Sequence, residues 1–489
     1  MKRLLFAGFL GLMALIGNNV AAQGVTLTKG EESKKVDDES VLNSWYLGRN
    51  EERVFWLTTD DDRDDAWCVL ELDRNMNVAN QMALPLDKDF RVVAINQNGW
   101  MANVIMVDSS KAKSALVVKF MLEMDSLALV DGKVDTLASF SLAKGDRCKV
   151  WGAVSPNGQY MGLLTLQEFT AKKQYTSKAM LFDRAMNEVW DHEYPVERTS
   201  CVAVSDIGEL VTLGFGREGV EERFFVSVIG EKGGENYSMA VNCDRVNDMR
   251  IVNVLDRKVI CAGIFSPTKS DPEEQLVGGT AMMVFDLDSS RVTGFTLKPF
   301  ENEDVNILTN KKTKKVQRDK EVPMVVPLAS TATSYGAVFA VGHRHMLRYK
   351  NANGTISTTY YCQGIQLVAI DDNAEVKWVR NLRRNDFEKE NDELLYISLF
   401  AEGDAVCLVK SESPKYPADY NIAKEAKEYE MGDKGNLVMY QVAENGDVTK
   451  TVLEQKTKHM LVSSAMCDDG SVLLTTMRGK KSRLVEMGF

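Results

Sequence analysis

His343 and His345 stand one residue apart, and on an extended chain that spacing turns both imidazoles to the same side. A zinc site takes four ligands, and the other histidines, His192 and His459, lie far off with no ligand-type spacing. No metal site is expected. Acids crowd TDDDRDDAW (59–67), where Asp60, Asp62 and Asp64 alternate as at the start of a calcium loop. The Gly and the bidentate Glu that complete such a loop are missing, so a solvated hairpin tip is the plainer reading and no cofactor is expected. The basic run NKKTKKVQRDK (310–320) groups Lys311, Lys312, Lys314 and Lys315. It reads as a solvated loop, or as a contact for an acidic partner or a lipid headgroup. KYPADYNIAKEAKEYEMGDKGN (415–436) mixes Tyr416, Tyr420 and Tyr429 with charges. Tyrosine is favoured at interfaces, and IAKEAKEYE holds good helix formers. These three tyrosines and four lysines are the candidate binding residues.

Paired carboxylates could cleave a glycosidic bond, given acids about 5–9.5 Å apart. With 70 acidic residues in the chain, spacing singles out no pair. No nucleophile elbow, phosphate-cradling Gly-rich loop or Cys-His motif is present. That pattern favours a binding module over an enzyme, with a carbohydrate-active enzyme as the alternative.

A repeat must position these residues. From about residue 41 onward, one unit recurs: apolar run, tight polar turn, apolar run, loop, third run often ending in Asp, closing run. The first turn appears as NQNG (96–99), SPNG (155–158), SDIG (205–208) and DDGS (468–471). The third-run ending appears as LELDRNMNV (70–78), MLFDRAMNEV (180–189), VFDLDSSRV (284–292) and LVAIDDNAEV (367–376). Short runs with period-two alternation are strands, and four per unit at this spacing predict an all-β protein, a β-propeller of four-stranded antiparallel blades. The blades fall at 41–86, 90–142, 148–196, 198–241, 247–300, 322–384, 393–455 and 459–489. The last stretch has only three strands, so GVTLTKG (24–30) is expected to supply the fourth and cover an exposed edge. That makes eight blades; seven is the alternative if the first or last stretch packs irregularly.

LVAIDDNAEVKWVRNL (367–382) and MLFDRAMNEVWDHEYPV (180–196) resemble the quinoprotein-type propeller repeat. Asp371 and Trp378, like Asp183 and Trp190, occupy the motif's Asp and Trp positions. The resemblance implies that each Trp packs between neighbouring blades. Ala374 and Glu188 stand where the motif's turn usually has Gly, and no quinone-site residues are matched, so the resemblance carries architecture alone. Trp190-Asp191 is formally a WD dipeptide, but it opens the fourth strand instead of closing the third.

Lys2-Arg3, an apolar stretch from Leu4 to Ile16, and Val20 and Ala22 before Gln23 have the form of a secretory signal peptide over 1–22. The stretch is shorter than the roughly 20 residues a membrane span needs. Residues 23–489 are therefore expected to be an exported, soluble, single propeller domain that does not span a membrane. The formal net charge of −11 becomes −13 without Lys2 and Arg3, which argues against nucleic-acid binding. Eight irregularly spaced cysteines, with no CxxC, fit small buried core residues better than a disulfide framework. A Cys243–Cys261 pair stays open.

Loop lengths are uneven. Long connections are expected between second and third strands at 168–178, 266–279, 343–364 and 411–435, and between blades at 301–321. In an antiparallel blade all of these emerge on one face. A protein or glycan partner is expected there, chiefly on the insertions 301–321 and 411–435.

Overall fold

The computed structural model describes residues 25–489 except 31, 33–43, 51–52, 61–65, 111–112, 171–173, 197, 219–220, 241–244, 267–275, 312–319, 351–353, 390–394, 417–425, 468 and 479–480. The expected signal peptide and Cys243 lie outside the described residues.

The alternating runs become antiparallel strands that pair in sequence order. Blade three is the plainest case, with strands Arg147–Val154, Tyr160–Phe169, Gln174–Asp183 and Glu188–Glu193. Among the described residues eight sheets follow this plan, the first beginning at Trp45 and the last at Met460. In the last sheet the outermost strand is Thr26–Lys29, which pairs antiparallel with Lys481–Gly488 from Thr26 opposite Gly488 to Lys29 opposite Val485. Glu32 extends this latch, accepting from His459 Nε2 at 2.9 Å and Arg478 Nη2 at 2.7 Å. The inner strands of successive sheets touch in chain order, and Trp45–Asn50 of the first touches Met460–Met466 of the last. The molecule is an all-β propeller.

Its core lies between the sheets. Val, Leu, Ile, Phe and Met on facing surfaces form a separate buried cluster at each junction of neighbours. A cluster containing Val54, Trp56, Leu72, Met76, Cys467 and Leu473 joins last to first. Burying each such large side chain stabilises by roughly 1.5–3 kcal/mol. Trp190 packs between blades three and four, and Trp378 between blades six and seven. Both meet the expectation set by the repeat.

The recurrent Asp has a backbone role. Asp73 Oδ1 accepts the N–H of Asn75 (2.8 Å) and Asn77 (2.9 Å), and Asp371 Oδ1 those of Asn373 (2.9 Å) and Glu375 (2.8 Å). Asp183 Oδ1 does the same with Ala185 and Asn187, at 2.8 and 2.9 Å. Three residues after the Asp, the turn needs a left-handed residue: Met76 (φ 60°), Met186 (φ 62°) and Ala374 (φ 63°). The position that usually takes Gly is thus Met186 in blade three, because Glu188 already belongs to the fourth strand. Burial of Met76, Met186 and Ala374 offsets a strain of about 1–2 kcal/mol.

Two expected loops are strand instead. Within 168–178, residues 168–169 and 174–178 belong to strands Tyr160–Phe169 and Gln174–Asp183, and within 343–364, residues 343–350 and 356–364 continue strands Gly336–Lys350 and Ile356–Asp371. Their polar residues alternate along a hydrogen-bonded ladder, which composition alone does not distinguish from loop. The other face is not wholly bare, since the outer connection of blade two carries an extra strand, Ala128–Leu129. Cys148, Cys201, Cys261, Cys362, Cys407 and Cys467 are free thiols, so Cys261 forms no disulfide. Burial pushes the Cys407 thiol up to about 12 and that of Cys148, with Arg91 opposing, to about 11.

Candidate binding platform on the loop-rich face

Blade six breaks the pattern at Gly364. Gly342 pairs with Ile365 but His343 with Gln363, so Gly364 is an extra residue against the second strand. Against the fourth strand, Gln363 faces Asn385 and Ile365 faces Leu382, leaving Arg383 and Arg384 opposite Gly364 alone. Such bulges bend a strand and re-aim its side chains. Gly364 has φ 60°, and a Cβ there would lie 2.3 Å from the Ile307 carbonyl oxygen. Only glycine lets the chain turn while a helix, Asn302–Leu308, packs directly over it. The helix ends are satisfied by a capping box between Glu301 and Asp304 and by the Thr309 N–H on the Val305 carbonyl.

Beyond the bulge, a three-stranded ribbon of 343–350, 356–363 and 385–388 projects from the ring. One face carries an aromatic stack: His343 on His345 (4.9 Å), His345 on Tyr361 (4.7 Å) and Tyr361 on Phe387 (5.6 Å). The two histidines do share a side, but their rings stack instead of converging on a point. Among the described residues no group of three or more His, Cys, Asp or Glu could hold a metal ion. Burial, reinforced by His345, pushes the His343 imidazole down to about 4, so it is neutral near pH 7.

The insertions at 301–321 and 411–435 meet on this ribbon. Asn310 Nδ2 donates to the Ala426 carbonyl at 3.1 Å, and the Ala426 N–H donates to Asn310 Oδ1 at 2.9 Å. Tyr429–Glu430 adds a parallel strand to Asp386–Phe387. Thus the end of the expected helix IAKEAKEYE is strand; 417–425 lies outside the described residues.

The candidate residues therefore have different fates. Tyr416 is buried, its ring 4.9 Å from Lys450 Nζ. Tyr429 is buried among Cys362, Leu395, Met431 and Met460, and its hydroxyl donates to the Asp433 carbonyl at 3.0 Å. Buried rings hold the insertion down and present no surface to a partner. Lys311 is exposed just past the helix. Tyr420, Lys312, Lys314 and Lys315 lie outside the described residues.

What the ribbon does present is its tip. Ile356 is 71 % exposed, Leu347 50 %, Tyr349 47 % and Met346 39 %, with exposed Arg348 and Lys350 between them. Leu347 and Tyr349 lie on the aromatic face, and Met346 and Ile356 on the other, as the register requires. The 343–364 segment was legible as an insertion, but its apolar tip was not singled out; the letters MLRY on a run flanked by charges were the available signal.

The ring's axis looks different. Its eight inner strands carry two carboxylates, Asp248 and Glu402. Asp248 is paired with Arg250 at 3.0 Å, and Glu402 accepts from Gln441 Nε2 at 3.0 Å. No helix among the described residues is long and apolar enough to cross a membrane.

No protein-family model matches the chain, and no curated protein matches it. Solved structures with a similar course include the β-propeller domain of the Trilobed protease from Pyrococcus furiosus, 10 % identical, covering 85 % of this chain and 99 % of that one (TM-score 0.38). The Dos1 propeller is 7 % identical over 94 % and 95 % of the two chains (TM-score 0.47). The polysaccharide lyase Uly1 is 9 % identical over 81 % and 89 % (TM-score 0.38). At these scores the likenesses carry no argument about function, and the architecture stands on the strand pairing above.

Proposed function

We propose that this protein is an exported binding module that engages a protein partner through the loop-rich face of its propeller. The supporting observation is the composite platform: two insertions tied to each other and to a ribbon whose tip leaves Met346, Leu347, Tyr349 and Ile356 exposed. Apolar and tyrosine side chains grouped on a rigid support are the usual centre of an interface. Exposed Arg348 and Lys350 beside them favour a partner with an acidic rim, although the chain as a whole is acidic. A carbohydrate-cleaving reading has less support, since each of the two inner-strand carboxylates already has a partner.

The test is capture from the native envelope with wild type, with the triple variant Met346→Ser/Leu347→Ser/Tyr349→Ser, and with Trp100→Ser as a control. Trp100 is 65 % exposed on a first-to-second-strand turn, on the opposite face. Loss of a protein partner from the triple variant alone is expected. Equal capture by all three sinks the platform, and glycan binding that survives the triple variant moves the site elsewhere. Export belongs to the same reading; a mature chain that stays in the cytoplasm would remove it.

A further inference from the structure

Charged groups are buried where blades six and seven meet, beneath the ribbon. Lys410 and Glu412 are each almost wholly buried, and the Lys450 side chain is 2 % exposed. Glu412 serves both lysines: Lys410 Nζ lies 3.0 Å from Oε2, and Lys450 Nζ contacts Oε1. The Tyr440 hydroxyl also donates to Oε2, at 2.8 Å. One carboxylate thus answers two ammonium groups.

Arg384 and Lys410 both lie within electrostatic reach of Cys362, and Arg384 is the less well answered of the two. The bulge opposite Gly364 turns Arg383 to the helix, where Nη1 donates to the Asn306 carbonyl at 3.2 Å. Arg384 goes to the other side of the sheet, wholly buried, with Nε donating to Asp386 Oδ2. Among the described residues its Nη1 and Nη2 have no oxygen or nitrogen partner, and the one other group at the guanidinium is the Cys362 thiol. The nearby sulfur of Cys362 is a weak acceptor, and burial raises its pKa, so the thiol is uncharged near pH 7. Arg384, Lys410 and Lys450 are three buried cations, and among the described residues the carboxylates they contact are two, Asp386 and Glu412. An uncompensated buried charge is among the most destabilising features a fold can carry.

We propose that the two terminal nitrogens of Arg384 hold a small anion, a halide or a compact oxyanion, enclosed between blades six and seven. A guanidinium offers a planar fork of donors, and both unused prongs here are shielded from water. Leu395, Tyr429, Met431 and Met460 pack around Cys362 on this side, so the occupant must be small enough to be shut in. The site is independent of the partner reading, because it lies below the tip and uses none of its residues.

The full chain is dialysed into gluconate at fixed ionic strength, and thermal unfolding is followed while chloride, bromide, formate or phosphate replaces it. A saturable rise in Tm of about 2 °C or more with at least one small anion is expected. Arg384→Met should abolish that response, and Arg384→Lys should weaken it. Should Arg384→Met fail to fold, bromide-soaked crystals of the wild type give a second readout: an anomalous peak within hydrogen-bond reach of the Arg384 guanidinium. An unchanged Tm in every anion together with no peak overturns the site, and so does a response that persists in Arg384→Met.

Discussion

In blade three the two middle strands turn back at Phe169 and Gln174, whereas in blade six they run on to Lys350 and return from Ile356. Both blades share the ring's parts: four strands, an Asp that closes the outer turn, and a tryptophan packed against the next blade. They part at Gly364, where one extra residue on one side and two arginines on the other end the regular ladder. The comparison separates scaffold from addition. Everything inside the bulge has a counterpart in blade three. The stacked histidines, the apolar tip and Arg384 lie at or beyond it.

If that division holds, damage to shared parts should be alike in the two blades. Trp190→Ala and Trp378→Ala each remove a buried indole from an inter-blade cluster, and each should destabilise by about 3–5 kcal/mol in urea unfolding. A loss confined to one blade would show that the two tryptophans are not equivalent. The next effect belongs to blade six alone. The His343 pKa is about 4 folded against 6.5 unfolded, so the unfolded chain takes up the proton first as pH falls. Above pH 6.5 His343 adds no penalty; between 6.5 and 4 stability drains away by up to ~3 kcal/mol. From pH 7.5 to 4.5, wild type should therefore lose about 2–3 kcal/mol more than His343→Phe. Parallel pH curves for the two proteins would mean that His343 is not shielded. The smallest effect returns to a shared part: Asp183→Ala and Asp371→Ala, each leaving two turn N–H groups to water, should cost about 1 kcal/mol apiece.

Much of the scaffold was readable along the chain because its causes are local. Period-two alternation sets the strands, and an Asp two and four residues before the amides it accepts sets the outer turns. The Met186 position was misread because left-handed backbone is normally announced by Gly, and here burial of a Met side chain sustains it. The binding candidates fared worse. Tyrosines among charges look alike whether they face a partner or cover a lysine, and Tyr416 does the latter over Lys450.

Strand order, the outer turns and the place for an N-terminal strand follow from the amino-acid order, since each depends on neighbours in the chain or on a repeat with one piece missing. Which insertion meets which does not. Asn310 finds Ala426 across 116 residues, and Lys410 of the next blade comes within electrostatic reach of Cys362, as Arg384 does, only because the ring brings separate blades together. Such contacts depend on the geometry of the closed ring and leave no spacing in the sequence.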